Sequence, residues 1–93
     1  MNSLNSVLLE GTVTVDAWES DAGRCRFWIS STCEEGENRQ ESKFQAEAQG
    51  RLAQTCLENC RVGRSLRLVG RLKTEPEGVI IIAEHVELSR MAT

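Results

Sequence analysis

Basic side chains recur at alternate positions in two stretches of the sequence, and this spacing sets the first functional expectation. They are Arg24 and Arg26, with Trp28 next in the series, and Arg67, Arg71 and Lys73. Because side chains alternate between the two faces of a β-strand, each series lies on one face of its strand. Cationic groups along such a face could contact the phosphates of a nucleic acid, and an indole among them could stack on bases.

The four cysteines and the single histidine form no recognisable metal or catalytic motif. Cys25, Cys33, Cys56 and Cys60 lack CxxC spacing, and His85 cannot complete a zinc site with them. Cys56 and Cys60 stand one helical turn apart on an apolar face, which favours packing as small hydrophobes over a redox role. We expect free thiols in a reducing cytoplasm. Since no nucleophile or acid accompanies His85, we expect no enzyme activity.

Length and charge narrow the class of protein. The 93 residues predict a single domain over residues 1–93. With 14 acidic and 11 basic side chains the net charge is -3, so only a local patch could bind a polyanion. No apolar run approaches the roughly 20 residues that span a bilayer, and no signal sequence is recognisable. We therefore expect a soluble, unexported protein without a membrane partner.

The first half of the sequence predicts three strands. Residues 7–15 show the two-residue period of a strand, and Val15 belongs to the apolar series. Gly11 in this segment suits a bulge or a sharp coil. Residues 16–23 are predicted as a turn with Trp18 as a loop anchor. Residues 24–31 and 41–49 are predicted to pair as a hairpin, joined by a charged connection at residues 33–40. In these strands one alternate set points inward and the other, including Lys43 and Glu47, points outward. The inward set comprises Cys25, Phe27, Ile29, Ser31, Phe44, Ala46 and Ala48.

The second half predicts a helix and two more strands. An apolar helix face precedes Gly63, which is expected to end the helix; the face comprises Leu52, Ala53, Cys56, Leu57 and Cys60. A strand at residues 65–73 and a turn at residues 74–78 follow. The last strand begins at Val79 with a run that is apolar on both faces, so its second face is expected to pack on another copy or around the first strand. This order predicts an all-β OB-fold, a five-stranded Greek-key barrel with one helix between strands 3 and 4.

Several segments resemble bacterial single-stranded DNA-binding proteins, in the order and spacing of that family. They are NSVLLEGTVTVD, CRFWISST, FQAEAQGRLAQTC, GRSLRLVGRLK and IIIAEHVEL, which together span nearly the whole chain. The resemblance implies a homodimer or homotetramer that binds single-stranded DNA without reading its sequence, in DNA replication, recombination or repair. It implies no cofactor and no catalysis. Two positions where the family usually carries stacking aromatics hold Lys43 and Gln49 here, and the loop at residues 74–78 is short.

Charge segregation supports a binding face on the second, third and fourth strands. Six of the twelve outward positions there are basic and one is acidic, although the chain is net acidic. The predicted nucleic-acid-binding residues are Arg24, Arg26, Trp28, Lys43, Arg67, Arg71 and Lys73. Three alternatives stay open: a merely solvated basic face, a Trp28 buried in a subunit contact, and an OB-fold protein of the primosomal kind that binds other replication proteins and has weak residual DNA affinity.

Overall fold

Five strands and one helix make up residues 5–89, the part of the chain that this computed structural model describes. They are β1 (Val7–Asp21), β2 (Arg24–Glu35), β3 (Asn38–Gln49), α1 (Gly50–Asn59), β4 (Ser65–Glu75) and β5 (Gly78–Leu88). The strands close into a barrel in the order β1-β2-β3-β5-β4. All neighbours are antiparallel except β3 and β5, which run parallel through two pairs, Ala46 with Ile81 and Glu47 with Ile82. The predicted OB-fold is confirmed; the predicted domain limits at residues 1 and 93 lie outside the described residues.

Strand β1 is longer than predicted because it pairs with two neighbouring strands in turn. Residues 7–12 pair with β4, and residues 12–21 pair with β2. The predicted turn at residues 16–23 is therefore wrong: Trp18 pairs with Arg26, and only Ala22 and Gly23 connect the strands. The ladder shifts between Val13 and Val15. This shift leaves Val13 buried and Val15 exposed, although the alternation predicted both on the inner face.

The β2–β3 hairpin is also longer than predicted. Its ladder runs without a break from Arg24 paired with Gln49 to Glu35 paired with Asn38, so the charged connection predicted at residues 33–40 shrinks to Gly36 and Glu37. The outer half of this hairpin is exposed along both strands. A strand that is wetted on both faces carries no apolar alternation, which explains why the pattern missed it.

The barrel core is built from the predicted inward series of the strands, except Val15 and Phe44, and from the predicted apolar face of the helix. Its fully buried large side chains include Phe27, Ile29, Leu66 and Leu68. Ala53 and Cys56 of α1 pack on this core, as does Cys60 directly after the helix. The helix ends at Asn59, before the predicted stop at Gly63, which has a positive φ of 92° in the connection to β4.

Apart from Val79, which is 60% exposed, the apolar run of β5 is covered within one chain on both faces. Ile81 and Ala83 belong to the barrel core, whereas Ile80 and Ile82 alternate to the opposite face and are buried as well. Of the two coverings predicted for this second face, another copy is therefore not required. In residues 5–89 no helix has the length and apolar character required to cross a membrane.

Two contacts close the barrel where β1 meets its neighbours. A Cβ added at Gly11 would overlap the carbonyl oxygen of Ser30, so only glycine allows β1 to approach β2 this closely. Just before β1, the Asn5 side chain donates from Nδ2 to the Leu72 carbonyl oxygen at 2.8 Å. The Leu72 N–H in turn donates to Asn5 Oδ1 at 2.9 Å, so a side-chain amide continues the β1–β4 ladder by one step.

Candidate nucleic-acid interface

Strand pairing places side chains from five strands in one row across the outside of the barrel. Paired residues lie on the same face of a sheet. The successive pairs are Trp18 with Arg26, Arg26 with Glu47, Glu47 with Ile82, and Ile82 with Arg71. The predicted residues Arg26 and Arg71, which lie on strands that are not neighbours in the barrel, are thus both on its outer surface.

A second group of outer residues lies beside this row. Trp28 pairs with Gln45 on β3, and Lys73 pairs with Ile80 on β5. Trp28 points outward as predicted and is half-buried. Arg24 and Lys43 are outward and exposed at opposite ends of the β2–β3 part of the face.

Arg26 is the cation of this face that two carboxylates hold. Its Nε donates to Glu47 Oε1 at 3.2 Å, and its two terminal nitrogens donate to Glu75, Nη2 to Oε1 at 2.6 Å and Nη1 to Oε2 at 3.3 Å. The hydrogen bonds to Glu75 are the main reason that the pKa of Arg26 is raised. Only 24% of its side chain is exposed. A side chain predicted as a free phosphate ligand is therefore already ion-paired.

Glu47 points outward as predicted but is only 3% exposed. Burial raises the pKa of its carboxyl, yet hydrogen bonds from Gln49 and Arg26 and the charges of Arg26 and Arg24 lower it by more, so the net shift is downward. Gln49 Nε2 donates to Glu47 Oε2 at 3.0 Å, which satisfies the second oxygen. Glu47 is therefore a buried, ionised anchor for Arg26.

The other predicted cations fall into two groups. Arg67 donates to Glu10 Oε2 on β1 from Nη2 at 3.0 Å and from Nε at 3.2 Å, in an exposed pair. It lies four residues before Arg71 on β4, which is roughly 13 Å along the strand. The remaining four cations are exposed and form no salt bridge within residues 5–89; they are Arg24, Lys43, Arg71 and Lys73.

Two adjacent hollows mark the outer face of β2 and β3. The first, of about 420 Å³, lies against the end of β1, with Trp18, Arg24 and Arg26 in its wall. The second, of about 230 Å³, lies against the tip of the β4–β5 hairpin; its wall includes Trp28, Lys43, Phe44, Glu75 and Val79. Gln45 lines both hollows, so they adjoin. Each one combines an indole with a cation that has no salt bridge in the described chain, Arg24 in the first and Lys43 in the second.

Trp18, Phe44 and Glu75 are among the hollow-lining residues that sequence reasoning missed. Trp18 was assigned to a turn, although the turn signature Asp21-Ala22-Gly23 after it could have placed it in the strand. Phe44 was assigned to the core, but it is 38% exposed because β3 leaves the barrel at that point. The third, Glu75, carried no local signal because its partner Arg26 is 49 residues away.

The cysteines lie away from this face, apart from Cys33 on the exposed part of the β2–β3 hairpin. All four are free thiols. Cys25 on β2 is hydrogen-bonded to Cys56 on α1, and Cys56 to Cys60; these bonds and burial raise the pKa of Cys56. In residues 5–89 no three potential ligand side chains are arranged to hold a metal ion. The buried trio packs in the core, in keeping with the interpretation of these cysteines as small hydrophobes.

Comparison with solved structures identifies proteins of the same shape. A small single-stranded DNA-binding protein from Streptomyces coelicolor superposes with a TM-score of 0.81 at 21% identity, over 96% of this chain and 95% of that one. The fold is that of small single-stranded DNA-binding proteins. A second such protein, from Mycoplasma pneumoniae, gives a TM-score of 0.76 at 21% identity over 91% of this chain and 86% of the other.

The same fold also occurs in PriB from Ralstonia solanacearum. Its TM-score is 0.75 at 19% identity, over 95% of this chain and 100% of that one. No family model matches the sequence. No curated protein matches it either. The resemblance drawn from the sequence segments is thus confirmed at the level of the fold.

The position of the two hollows agrees with where OB-folds hold their ligands. Oligonucleotides and oligosaccharides bind OB-folds on the face of strands 2 and 3, between the loop that joins strands 1 and 2 and the loop that joins strands 4 and 5. Here the first hollow includes Asp21 and Arg24, which flank the β1–β2 turn, and the second includes Glu77 of the β4–β5 turn and Gly78, which follows it. The two indoles, together with Arg24 and Lys43, therefore lie where OB-folds hold their ligands.

Proposed function

We propose that the protein binds single-stranded DNA without sequence preference and serves DNA replication, recombination or repair. The observation that carries this proposal is the pair of adjoining hollows on the β2–β3 face, each with a tryptophan and an exposed cation. Aromatic platforms suit unpaired bases of any identity, since every base has a stacking face. The side chains that line the hollows suit such binding.

In the proposed complex, cations and aromatics have separate roles. The backbone phosphates contact the four exposed cations at the rim of the face, Arg24, Lys43, Arg71 and Lys73. One base stacks on Trp18 in the first hollow, and another stacks on Trp28 beside Phe44 in the second. A duplex keeps its bases stacked on each other and unavailable to these rings, so unpaired strands are preferred.

Titration with oligo-dT at two salt concentrations, against a duplex of equal length, tests this function. We expect tighter binding of the single strand and a steep loss of affinity at the higher salt, because each neutralised phosphate releases counterions. Equal affinity for the duplex, or no binding of oligo-dT at low salt, would contradict the proposal. The cytoplasm is the compartment that we propose for this activity, and the four free thiols support a reducing environment.

We also propose a homodimer or homotetramer, now on a different surface from the one that the sequence suggested. Leu8 on β1 is 71% exposed and pairs with Val69 on β4, which is exposed too. Glu10 and Arg67 are the next outward pair on these strands. A patch that carries an apolar pair beside one anion and one cation is self-complementary under a two-fold axis, which suits a symmetric contact between two copies.

A second candidate function is that of an OB-fold interaction protein of the primosome, with weak residual DNA binding. The ion pairs of Arg26 and Arg67 favour it, because they leave fewer cations free for phosphate than the sequence indicated. This function predicts that oligo-dT binding is weak or undetectable even at low salt, while the protein still associates with a purified replication protein. The oligo-dT titration therefore separates the two candidates.

A further inference from the structure

The carboxylate of Glu75 forms an ion pair with Arg26, the cation that lies between the two hollows. Arg26 lines the first hollow and Glu75 lines the second, and their ion pair joins the β4–β5 hairpin to β2. Both guanidinium terminal nitrogens point at Glu75, one at each carboxylate oxygen. This two-pronged contact is the one by which arginine also recognises a phosphate group.

We propose that Glu75 is an internal competitor for phosphate that sets the affinity of the nucleic-acid face. A DNA phosphate and the Glu75 carboxylate need the same two nitrogens of Arg26. A single strand of DNA that crosses from one hollow to the other therefore displaces Glu75. This inference rests on the proposed function. The other residues of the face contribute to DNA binding, whereas Glu75 weakens it.

The two carboxylates around Arg26 have different roles because their surroundings differ. Glu47 is buried, only 3% exposed, and accepts hydrogen bonds from Arg26 Nε and from Gln49. Glu75 has a side chain 24% exposed, ends β4 beside the Pro76-Glu77 turn, and has Arg26 as its salt-bridge partner in the described chain. Glu47 therefore keeps Arg26 aimed at the face, and Glu75 is the partner that leaves.

The test compares Glu75→Gln with Glu77→Gln, since both remove one negative charge from the same hairpin tip. Glu77 lines the second hollow but forms no salt bridge within residues 5–89, so it controls for the change in net charge. We expect Glu75→Gln to tighten oligo-dT binding roughly three- to tenfold. We also expect the slope of log K against log salt to steepen by about 0.7, the value for one more phosphate contact on a single strand.

Glu77→Gln should give the smaller gain of a general charge effect and no steeper slope. If wild type binds oligo-dT and the two variants behave alike, the competitor role is overturned while the proposed function stands. If no protein binds oligo-dT, the proposed function fails. In that case the inference is decided by adding inorganic phosphate and monitoring the NMR chemical shift of Arg26 Nε–H. A shift that occurs at a lower phosphate concentration in Glu75→Gln than in wild type supports the inference, and identical titrations overturn it.

Discussion

Glu75 Oε1 lies 2.6 Å from Arg26 Nη2, and this contact links two strands, β4 and β2, that do not pair in the barrel. Strand β3 lies between β2 and β5, so the tip of the β4–β5 hairpin reaches across β3 to make the contact. The face that the sequence indicated as a plain basic surface is therefore a mixed one, with a neutralised centre and free cations at its rim.

The two tryptophans should contribute to DNA binding as stacking platforms. We expect Trp18→Ala and Trp28→Ala each to weaken oligo-dT binding by roughly 1–3 kcal/mol, because each removes one base platform. Trp18→Phe and Trp28→Phe are the matched controls, since they keep a ring, and they should lose less. Fluorescence quenching in each single-tryptophan Phe variant reports stacking at the remaining indole. Full affinity in both alanine variants would show that DNA does not cross these hollows.

For Trp28, the same substitution separates stacking from a structural role. If the half-buried indole mainly supports the fold or a subunit contact, Trp28→Ala should lower the melting temperature or dissociate the oligomer, with the cost of several kcal/mol that large aromatic truncations carry. We expect instead a nearly unchanged melting temperature with weaker binding, measured by thermal unfolding and oligo-dT titration on the same protein preparation.

The rim cations should set the salt dependence of binding. We expect Arg71→Gln and Lys73→Gln each to reduce the slope of log K against log salt by about 0.7, with equal effects on oligonucleotides of any sequence. Arg67→Gln is the comparison, because Arg67 already pairs with Glu10 and lies away from the hollows. If Arg67→Gln reduces the slope as much as the other two substitutions, the bound DNA extends farther along β4 than we propose.

Glu47 should make the stability of the fold sensitive to acid. Its pKa is lowered in the folded protein, so its ionised form stabilises the fold above the unfolded pKa of about 4.5, and this contribution is lost as the pH falls through the folded value. Urea unfolding of wild type and Glu47→Gln from pH 7 to pH 3 measures it. The difference in unfolding free energy should be largest near pH 7 and shrink below about pH 4.5; a difference that does not change with pH would contradict this role.

The exposed pair on β1 and β4 should mediate self-association. Light scattering at micromolar concentration should report a mass above the 10.4 kDa of one chain. Leu8→Glu should shift the protein to the monomer, because it places a charge in the apolar contact. Val62→Glu is the control, since Val62 is 63% exposed in the connection between α1 and β4. A wild-type protein of single-chain mass would contradict the proposed contact.

The sequence predicted the fold well where each strand has one buried and one wetted face. Cys25, Phe27 and Ile29 alternate with polar residues because β2 covers the core there, and the pattern gave their orientation correctly. Prediction failed where that condition ends. Val15 follows a shift in the ladder that inverts the pattern, and Phe44 lies where β3 leaves the barrel, so neither is placed by alternation alone.

The sequence predicted which side chains of the candidate site point outward, but it did not predict which of its charges are neutralised by ion pairs. The alternation placed Arg26 and Trp28 on the outer face, where the structure has them. It could not show that Arg26 is neutralised, because Glu75 approaches it only after the barrel has closed and the hairpin tip has crossed β3. Ion pairs between distant segments depend on tertiary packing, which the local spacing of charges does not encode.

The amide of Asn5 has a consequence for the edge of β4 beyond the β1 ladder. A strand whose N–H and C=O groups are unpaired is a template on which another chain can add by backbone hydrogen bonds, and this is a common route to aggregation. At Leu72 both groups are already bonded to the Asn5 side chain. A foreign strand that paired in register with β4 would first have to break these two bonds, so one asparagine protects the barrel against edge-to-edge polymerisation at this position.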